Sequence, residues 1–225
     1  MKTSIWKLIT SPLKLTRGIV ILTYMWATVI LMATLSYLWY FITLLLPNKK
    51  LVKKIRLPVL HKLYLFLCTL LKLALNRLTT VSEHLPTSTT LSQSNSYIII
   101  CNHQSWIDIL IVCIFACTRT PLSRFLMKRE LLWQLPFASW YCYITGSPFL
   151  TRKKTNKKTS SDTKQIKLAC EHLIGEPTSF IIFPEGTRFS HAKHKKTHSP
   201  YRHLLSPRAG GLSTTIEALQ PQIKY

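Results

Sequence analysis

Two polar motifs, each directly after a short apolar run, contain residue types that could do chemistry. The first follows the apolar run Ser96–Cys101 and places His103 and Asp108 five positions apart. If His103 lies in a strand-to-helix turn and Asp108 in the first helical turns, the carboxylate can bind one imidazole nitrogen and leave the other as a base. The pair is the His–Asp part of a catalytic triad without its serine, so the nucleophile would be a substrate hydroxyl. In isolation, the pattern could also be a polar helix N-terminus.

The second motif, Phe183–Phe189, ends the apolar run Thr178–Phe183 and contains Glu185, Gly186 and Arg188. The glycine allows the backbone to approach a ligand closely. Arg188 offers a planar fork that suits phosphate. Glu185 could hydrogen-bond a glycerol hydroxyl or orient Arg188. The alternative interpretation is a surface turn with one ion pair.

A third segment, Gly146–Arg152, combines turn residues with a further arginine. Gly146 and Pro148 indicate a turn, and Arg152 is a second candidate for binding phosphate. Alone, this segment would be interpreted as an ordinary loop.

Together, the motifs HxxxxD, GxxFLxR and FPEGTR, in this order and at these distances, resemble the glycerophospholipid acyltransferase family. That family includes the 1-acylglycerol-3-phosphate acyltransferases. The resemblance covers roughly residues 96–211, and the segment Leu205–Gly211 is similar to one that follows in bacterial members. It implies an α/β fold with a largely parallel central sheet flanked by helices, together with N-terminal helices that anchor the chain in a membrane.

The resemblance also implies a reaction and a role for each matched residue. The enzyme would transfer a fatty acyl group from acyl-CoA or acyl-carrier protein to the free hydroxyl of a lysophospholipid, foremost 1-acylglycerol-3-phosphate, in phospholipid biosynthesis. His103 would be the general base and Asp108 would orient it, with no metal or cofactor required. The residues implied in binding the acceptor are Gly146, Arg152, Glu185, Gly186, Thr187 and Arg188. Alternatives are another lysophospholipid acceptor, or an inactive, truncated lipid-binding remnant.

Charge and cysteine content narrow the setting in which this chemistry would occur. With 30 Lys+Arg against 8 Asp+Glu, the formal net charge is +22. Such a chain should meet a polyanion, and a long apolar segment favours a membrane surface over nucleic acid, for which no motif is present. The six cysteines form no CxxC pair, which indicates reduced thiols. A His- and Lys-rich stretch, residues 191–203, lacks acidic or Cys ligands, so we expect no metal there.

Residues 1–78 are predicted to be the membrane anchor. The uncharged run Gly18–Pro47 is long enough to cross a bilayer as a helix over about residues 18–46. Leu57–Leu75 contains charged residues, so a helix over about residues 57–76 is expected to lie at the interface. The denser basic cluster follows the first helix, which places the main domain on the cytoplasmic side, in a bacterial inner membrane. A re-entrant pair of helices is the alternative.

Beyond a polar linker over residues 79–95, the acyltransferase domain should occupy residues 96–225. The sequence predicts strands at Ser96–Cys101, Phe125–Met127, Phe149–Leu150 and Thr178–Phe183. Helices are predicted at Ile109–Cys117 and at Asp162–Ile174, the latter capped by Ser161 or Asp162 and ended by Gly175. Alternating strands and helices favour a parallel sheet. Family members continue into another strand, so we expect this domain to be incomplete at its C-terminus.

Overall fold

Two long N-terminal helices form an antiparallel hairpin. The computed structural model of the chain describes residues 12–78, 84, 90–150, 158–171 and 173–220. Helices α1 (Pro12–Leu45) and α2 (Lys49–Leu78) are joined by residues 46–48. Asn48 caps α2, because its Oδ1 accepts the backbone N–H groups of Lys50 and Leu51 at 3.1 Å. At the open end, Arg17 Nη2 donates to the Arg77 carbonyl at 2.6 Å.

Both helices begin earlier than the sequence predicted. The basic residues between Lys49 and Arg56 were interpreted as a flank, but they form the first turns of α2. Lys and Arg are good helix formers, and the Asn48 cap fixes the start ahead of them. The helix also runs through Pro58. As a result, both α1 and α2 are long and apolar enough to cross a membrane, judged by length and composition. The sequence had predicted that α2 would lie at the membrane interface.

The hairpin shares a hydrophobic core with the domain that follows it. The Tyr64 and Tyr141 rings stack at 5.7 Å, and the Tyr141 hydroxyl donates to the Leu60 carbonyl at 3.2 Å. Cys68 and Leu71 of α2 are buried in this core. The hairpin is therefore packed against the following domain along the middle of α2.

The central sheet has three short parallel strands, as the apolar runs predicted. Strands β1 (Tyr97–Ile100), β2 (Ser123–Phe125) and β5 (Ser179–Ile182) lie in the order β1-β5-β2. All four residues of the central strand β5 are buried, as expected for a parallel strand that is covered on both faces. The carboxyl ends of β1 and β5 are neighbours, so the loops after them meet at one edge.

A second, two-stranded parallel ladder joins β3 (Met127–Lys128) to β4 (Phe149–Leu150). The sequence predicted one strand over Phe125–Met127, which is wrong. The chain changes partner at Leu126, whose N–H donates to Ile181 at 3.4 Å, whereas the next N–H, of Met127, donates to Pro148 at 3.1 Å. Hydrophobicity alone carries no signal for such a switch.

Helices cover both faces of the central sheet, which confirms the predicted α/β architecture. The remaining helices are α3 (Ile107–Arg119), α4 (Leu131–Gln134), α5 (Pro136–Ile144), α6 (Lys158–Glu171), α7 (His191–Thr197) and α8 (Ala209–Leu219). Helices α6 and α8 pack against Phe180 and Ile182 on one face. On the other side, α3 packs against α2. All six cysteines are unpaired.

The start of α6 was predicted incorrectly. Ser161 and Asp162 were expected to cap the helix, but both lie inside it, because α6 begins at Lys158. The apolar face starts only at Ile166, so periodicity could not detect the polar first turns. The predicted end at Ile174 is also wrong, because α6 ends at Glu171 and Gly175, at φ +85°, lies in the turn that follows. Of the predicted linker, residues 79–83 and 85–89 lie outside the described residues.

Candidate active site

His103 and Asp108 meet where β1 passes into α3. His103 lies in the loop after β1, and Asp108 is in the first turn of α3. His103 Nδ1 is 3.2 Å from Asp108 Oδ2. A carboxylate only accepts hydrogen bonds, so Nδ1 carries the proton and Nε2 is left as a free base. The imidazole also packs on the Phe183 ring, with 4.4 Å between centroids.

Asp108 is held in place by the loop it closes. Its Oδ2 accepts the backbone N–H groups of Gln104 at 2.6 Å and Ser105 at 2.7 Å. Partial burial raises the pKa of Asp108, but the hydrogen bonds from Ser105, His103 and Gln104 and the nearby imidazole outweigh burial, so the net pKa is lowered. The group is therefore a fixed carboxylate at neutral pH. Trp106, the N-cap residue of α3, makes no side-chain capping hydrogen bond, and the catalytic role of His103 and Asp108 stays a prediction.

Glu185 connects three loops beneath the imidazole. Its side chain is buried, at 4% exposure. Oε1 accepts the backbone N–H of His103 at 2.9 Å, and Oε2 accepts that of Leu205 at 3.0 Å. In addition, the Phe189 N–H donates to the His103 carbonyl at 2.8 Å. Glu185 thus fixes the backbone of the base, and its predicted contact with the acceptor stays a prediction.

Gly186, Thr187 and Arg188 form the turn beside the imidazole. Gly186 has φ +65°, a left-handed conformation that a side chain would strain. The Arg188 guanidinium lies over the Trp106 ring, 4.2 Å from its centroid, in a cation–π contact. Trp106 lies inside the first motif, but nothing in the sequence indicated that it would contact Arg188 of the second motif.

Lys193 is a second residue near this site whose contacts the sequence analysis did not anticipate. Its Nζ donates to the Thr187 hydroxyl at 2.8 Å and to the Arg188 carbonyl at 2.9 Å. The ammonium group of α7 therefore braces the turn that carries Arg188. Ser190 caps this helix by accepting the Lys193 N–H. The serine three residues before Lys193 was the one sequence feature that could have predicted a helix start here.

A largely apolar cavity of about 440 Å³ opens between the hairpin and the sheet edge, and His103 lines it. Its walls come from the middle of α1 and α2, from α3, and from α4 and α5. Among the described residues that line it, the only fixed positive charges are Lys128 and Arg188, and no carboxylate is present. Lys128 follows from no motif identified in the sequence. The cavity can accept a long apolar group with an anionic end next to a base.

Of the remaining predicted residues, Gly146 is described and does not line this cavity. Gly146, at φ +85°, ends α5 and lines a separate pocket together with Arg124. Arg152 lies outside the described residues. Binding of the acceptor by Gly146 and Arg152 therefore stays a prediction. Within the part of the chain that the structure describes, no three His, Cys, Asp or Glu side chains cluster as metal ligands would.

The chain is similar to known acyltransferases in sequence. A family model described as Acyltransferase matches residues 80–223. The chain is 30% identical over 141 residues to 1-acyl-sn-glycerol-3-phosphate acyltransferase delta of Bos taurus, covering 55% of this chain and 34% of that protein. It is 31% identical over 96 residues to the human alpha enzyme, covering 42% and 31% of the two chains. The chain spans about a third of the length of these curated relatives.

Among solved structures, the fold is similar to the crystal structure of the 1-acyl-sn-glycerophosphate (LPA) acyltransferase PlsC from Thermotoga maritima. The TM-score is 0.54, and the match covers 91% of this chain and 71% of that one. At 20% sequence identity, this likeness establishes the fold alone.

Proposed function

From the premise that this chain belongs to the Acyltransferase family, we propose that it acylates the free hydroxyl of a lysophospholipid. The acceptor is 1-acylglycerol-3-phosphate, the donor is an acyl thioester, and the product is phosphatidic acid. The observation that carries the proposal is the largely apolar cavity of about 440 Å³, which His103, Lys128 and Arg188 all line.

The chemistry requires one base that later acts as an acid. His103 Nε2 removes the proton of the acceptor hydroxyl as its oxygen attacks the thioester carbonyl carbon. The tetrahedral intermediate then collapses, the carbon–sulfur bond breaks, and the departing thiolate takes the proton from the imidazolium. Asp108 stabilises that imidazolium, because its Oδ2 lies 3.2 Å from Nδ1. No group stays bound to the protein at the end.

Charge in the cavity favours a phosphate-bearing acceptor. Arg188 and Lys128 both line the cavity, and no carboxylate is present among the described residues that line it. The Arg188 guanidinium lies over the Trp106 ring, and this contact leaves its N–H groups available to phosphate oxygens. The acyl chains would lie along the apolar walls from α1 and α2.

The helical hairpin supports membrane association. The side chains of α1 that face away from α2 are largely apolar and exposed, including Val20, Leu31 and Phe41. Exposed apolar surface of this extent would be covered by lipid.

The domain would face the cytoplasm from a bacterial inner membrane. A green fluorescent protein fused after Tyr225 should fluoresce in cells, and a dark fusion of normal abundance would contradict this orientation.

In the test, the full chain in detergent micelles is incubated with a labelled acyl donor, either oleoyl-CoA or oleoyl-acyl-carrier protein. Two acceptors that differ only in phosphate are compared. These are 1-oleoylglycerol-3-phosphate and 1-oleoylglycerol. We expect kcat/KM to favour the phosphate by at least about tenfold, because a hydrogen bond to a charged group contributes about 1.5–3 kcal/mol. Arg188→Ala should reduce this preference.

Arg202→Ala is the matched control, since Arg202 is an exposed arginine of the same region that does not line the cavity. Its preference should equal that of the unaltered chain. Equal or faster acylation of 1-oleoylglycerol would contradict the acceptor, and absence of any acylated product from folded protein would contradict the proposal as a whole.

A further inference from the structure

A second pocket, of about 520 Å³, lies along the same helices toward the tip of the hairpin. It is lined by the end of α1, the start of α2, the end of α5 and part of the loop after α6. It shares no residue with the cavity that His103 lines. None of the proposed catalytic chemistry uses it.

Strand β2 separates the two spaces. Ser123 and Phe125 line the catalytic cavity, whereas Arg124 between them lines the second pocket. Successive side chains of a strand point to opposite faces, so this alternation is what β geometry dictates. The two pockets therefore lie on opposite sides of one strand.

Arg56 presents an unoccupied hydrogen-bonding edge to this pocket. Its Nε donates to the Thr43 hydroxyl at 2.7 Å, and its guanidinium carbon lies 4.7 Å from the centroid of the Tyr40 ring. These contacts fix the plane of the group. Neither Nη makes a hydrogen bond to any residue that the structure describes. A guanidinium held by one edge and one face is arranged to bind two oxygens of an anion.

Arg124 adds a second positive charge at the base of the pocket. Its side chain is only 2% exposed, and it donates to the Thr145 carbonyl and the Thr178 hydroxyl, both neutral acceptors. Burial lowers the pKa of Arg124 to about 10, which leaves the guanidinium charged at neutral pH. Glu176 also lines the pocket, so two guanidinium groups face one carboxylate there. The electrostatic balance favours an anion.

Much of the remaining wall is apolar. Leu44, Leu46 and Val52 of the hairpin and Ile144 and Leu173 of the domain line the pocket. Leu44 is 53% exposed on a helix that is long and apolar enough to lie in a membrane. A ligand with a phosphate and an adjoining hydrocarbon portion matches both the charged and the apolar parts of the lining.

We propose that this pocket is a second lipid site, separate from the catalytic cavity, in which Arg56 binds the phosphate of an anionic membrane phospholipid. The lipid's apolar part lies against the leucine side chains of the hairpin tip. Because the pocket joins the hairpin tip to the end of α5, the bound lipid fastens the hairpin to the domain.

The experiment measures lipid binding without turnover, so that its outcome is independent of the proposed reaction. The full chain carrying His103→Ala is purified in a nonionic detergent and titrated with dioleoyl phosphatidylmethanol, an anionic diacyl lipid that has no free hydroxyl to acylate. Native mass spectrometry counts the lipids bound. Apart from any lipid that the catalytic cavity takes up, we expect one high-affinity lipid that depends on Arg56 and is bound at least about tenfold more tightly than dioleoyl phosphatidylcholine, as a charge-assisted contact implies.

Arg56→Ala should weaken this first binding event about tenfold, and Arg56→Lys should restore it only in part, because lysine lacks the fork. Lys54→Ala is the matched control, since Lys54 is an exposed cation two residues away that does not line the pocket. Its affinity should be unchanged. Leu44→Trp blocks the pocket from an exposed position without removing charge, and should also weaken binding if the Arg56 variants do not fold.

Equal losses in Lys54→Ala and Arg56→Ala would show nonspecific attraction to a basic surface and overturn the proposal. Unchanged affinity in both Arg56→Ala and Leu44→Trp would overturn it as well. Displacement of the lipid by inorganic phosphate at equal concentration would identify the ligand as free phosphate and not a lipid.

Discussion

At the scale of single residues, the tautomer and orientation of His103 depend on how Asp108 is held. The carboxylate takes two backbone N–H groups in addition to the imidazole, so it cannot rotate away. Asp108→Asn should lower kcat by roughly 10²-fold, within the range for general base catalysis, because the amide no longer favours the productive tautomer or stabilises the imidazolium. The KM for the acceptor should change little. A fall in kcat/KM that arose only from KM would contradict this role.

Asp108 also links stability to pH, with a definite sign. Its pKa in the folded chain lies below the ordinary value of 3.8, so the unfolded chain binds more protons near that pH. The stabilisation is fully present above about pH 4 and is lost as the pH falls through the lowered pKa. The difference in unfolding free energy between the unaltered chain and Asp108→Asn should therefore narrow below about pH 4, as measured by urea titration. A difference that stays constant with pH would contradict the assignment.

Trp106 is predicted to position Arg188 and not to take part in the reaction itself. Trp106→Leu should raise the KM for 1-oleoylglycerol-3-phosphate about two- to fivefold, since an exposed cation–π contact contributes about 0.5–1 kcal/mol. The kcat should be nearly unchanged, and Trp106→Phe should restore most of the affinity. An equal increase in KM for 1-oleoylglycerol would point to a general structural effect instead.

Single residues were predictable from the sequence only where partners lie close along the chain. His103 and Asp108 are five positions apart, so the turn between them limits how they can meet. Trp106 and Arg188 are 82 positions apart and meet because β1 and β5 are neighbouring strands. The buried bonds of Glu185 to His103 and Leu205 also depend on tertiary structure, which no local pattern contains.

At the scale of elements, Glu185 connects the loops after β1 and β5 and the approach to α8. Glu185→Ala should lower the unfolding free energy by about 3 kcal/mol, because two charge-assisted hydrogen bonds are lost and buried N–H groups are left unpaired. It should also lower kcat, since the His103 backbone loses a support. Chemical denaturation and turnover would be measured on the same preparation.

Glu217→Ala is the control for that prediction. Glu217 is exposed and pairs with Lys167 at 2.8 Å between α6 and α8, so its removal should cost less than about 1 kcal/mol. Comparable losses of stability in the two variants would contradict the linking role given to Glu185.

The elements were predictable where hydrophobic periodicity reached their ends. β4 matches its predicted range, and β1 and β5 differ from theirs by one residue at each end. The starts of α2 and α6 were missed, because their first turns are polar and lie outside the periodic apolar pattern. The start of α2 is determined instead by Asn48, which caps the helix, and by the helix-forming basic residues that follow it.

At the scale of the whole molecule, the catalytic cavity exists only because the hairpin packs against the domain. Composition predicted an anchor, but it could not predict that the middle of α1 would form a wall of the active site. Ala33 of α1 lines that wall and is 5% exposed. If the cavity binds the acyl chains as proposed, the hairpin is part of the site and limits the space available to them.

Ala33→Leu should shift the donor preference toward shorter acyl chains, because added carbons occupy cavity volume that the chain would otherwise fill. The strain should be about 1–3 kcal/mol. Ala27→Leu is the matched control, since Ala27 is exposed on the same helix outside the cavity. Competition assays with a series of saturated acyl thioesters would measure the shift. An unchanged chain-length profile in Ala33→Leu would contradict the position proposed for the acyl group.

The most direct test of acyl transfer at His103 compares single-turnover rates of the unaltered chain, His103→Ala and His203→Ala in the same detergent. His203 is an exposed histidine that does not line the cavity. We predict that His103→Ala lowers the rate of phosphatidic acid formation roughly 10²- to 10⁴-fold while His203→Ala leaves it unchanged. A folded His103→Ala protein that forms product at the unaltered rate would contradict the general-base mechanism.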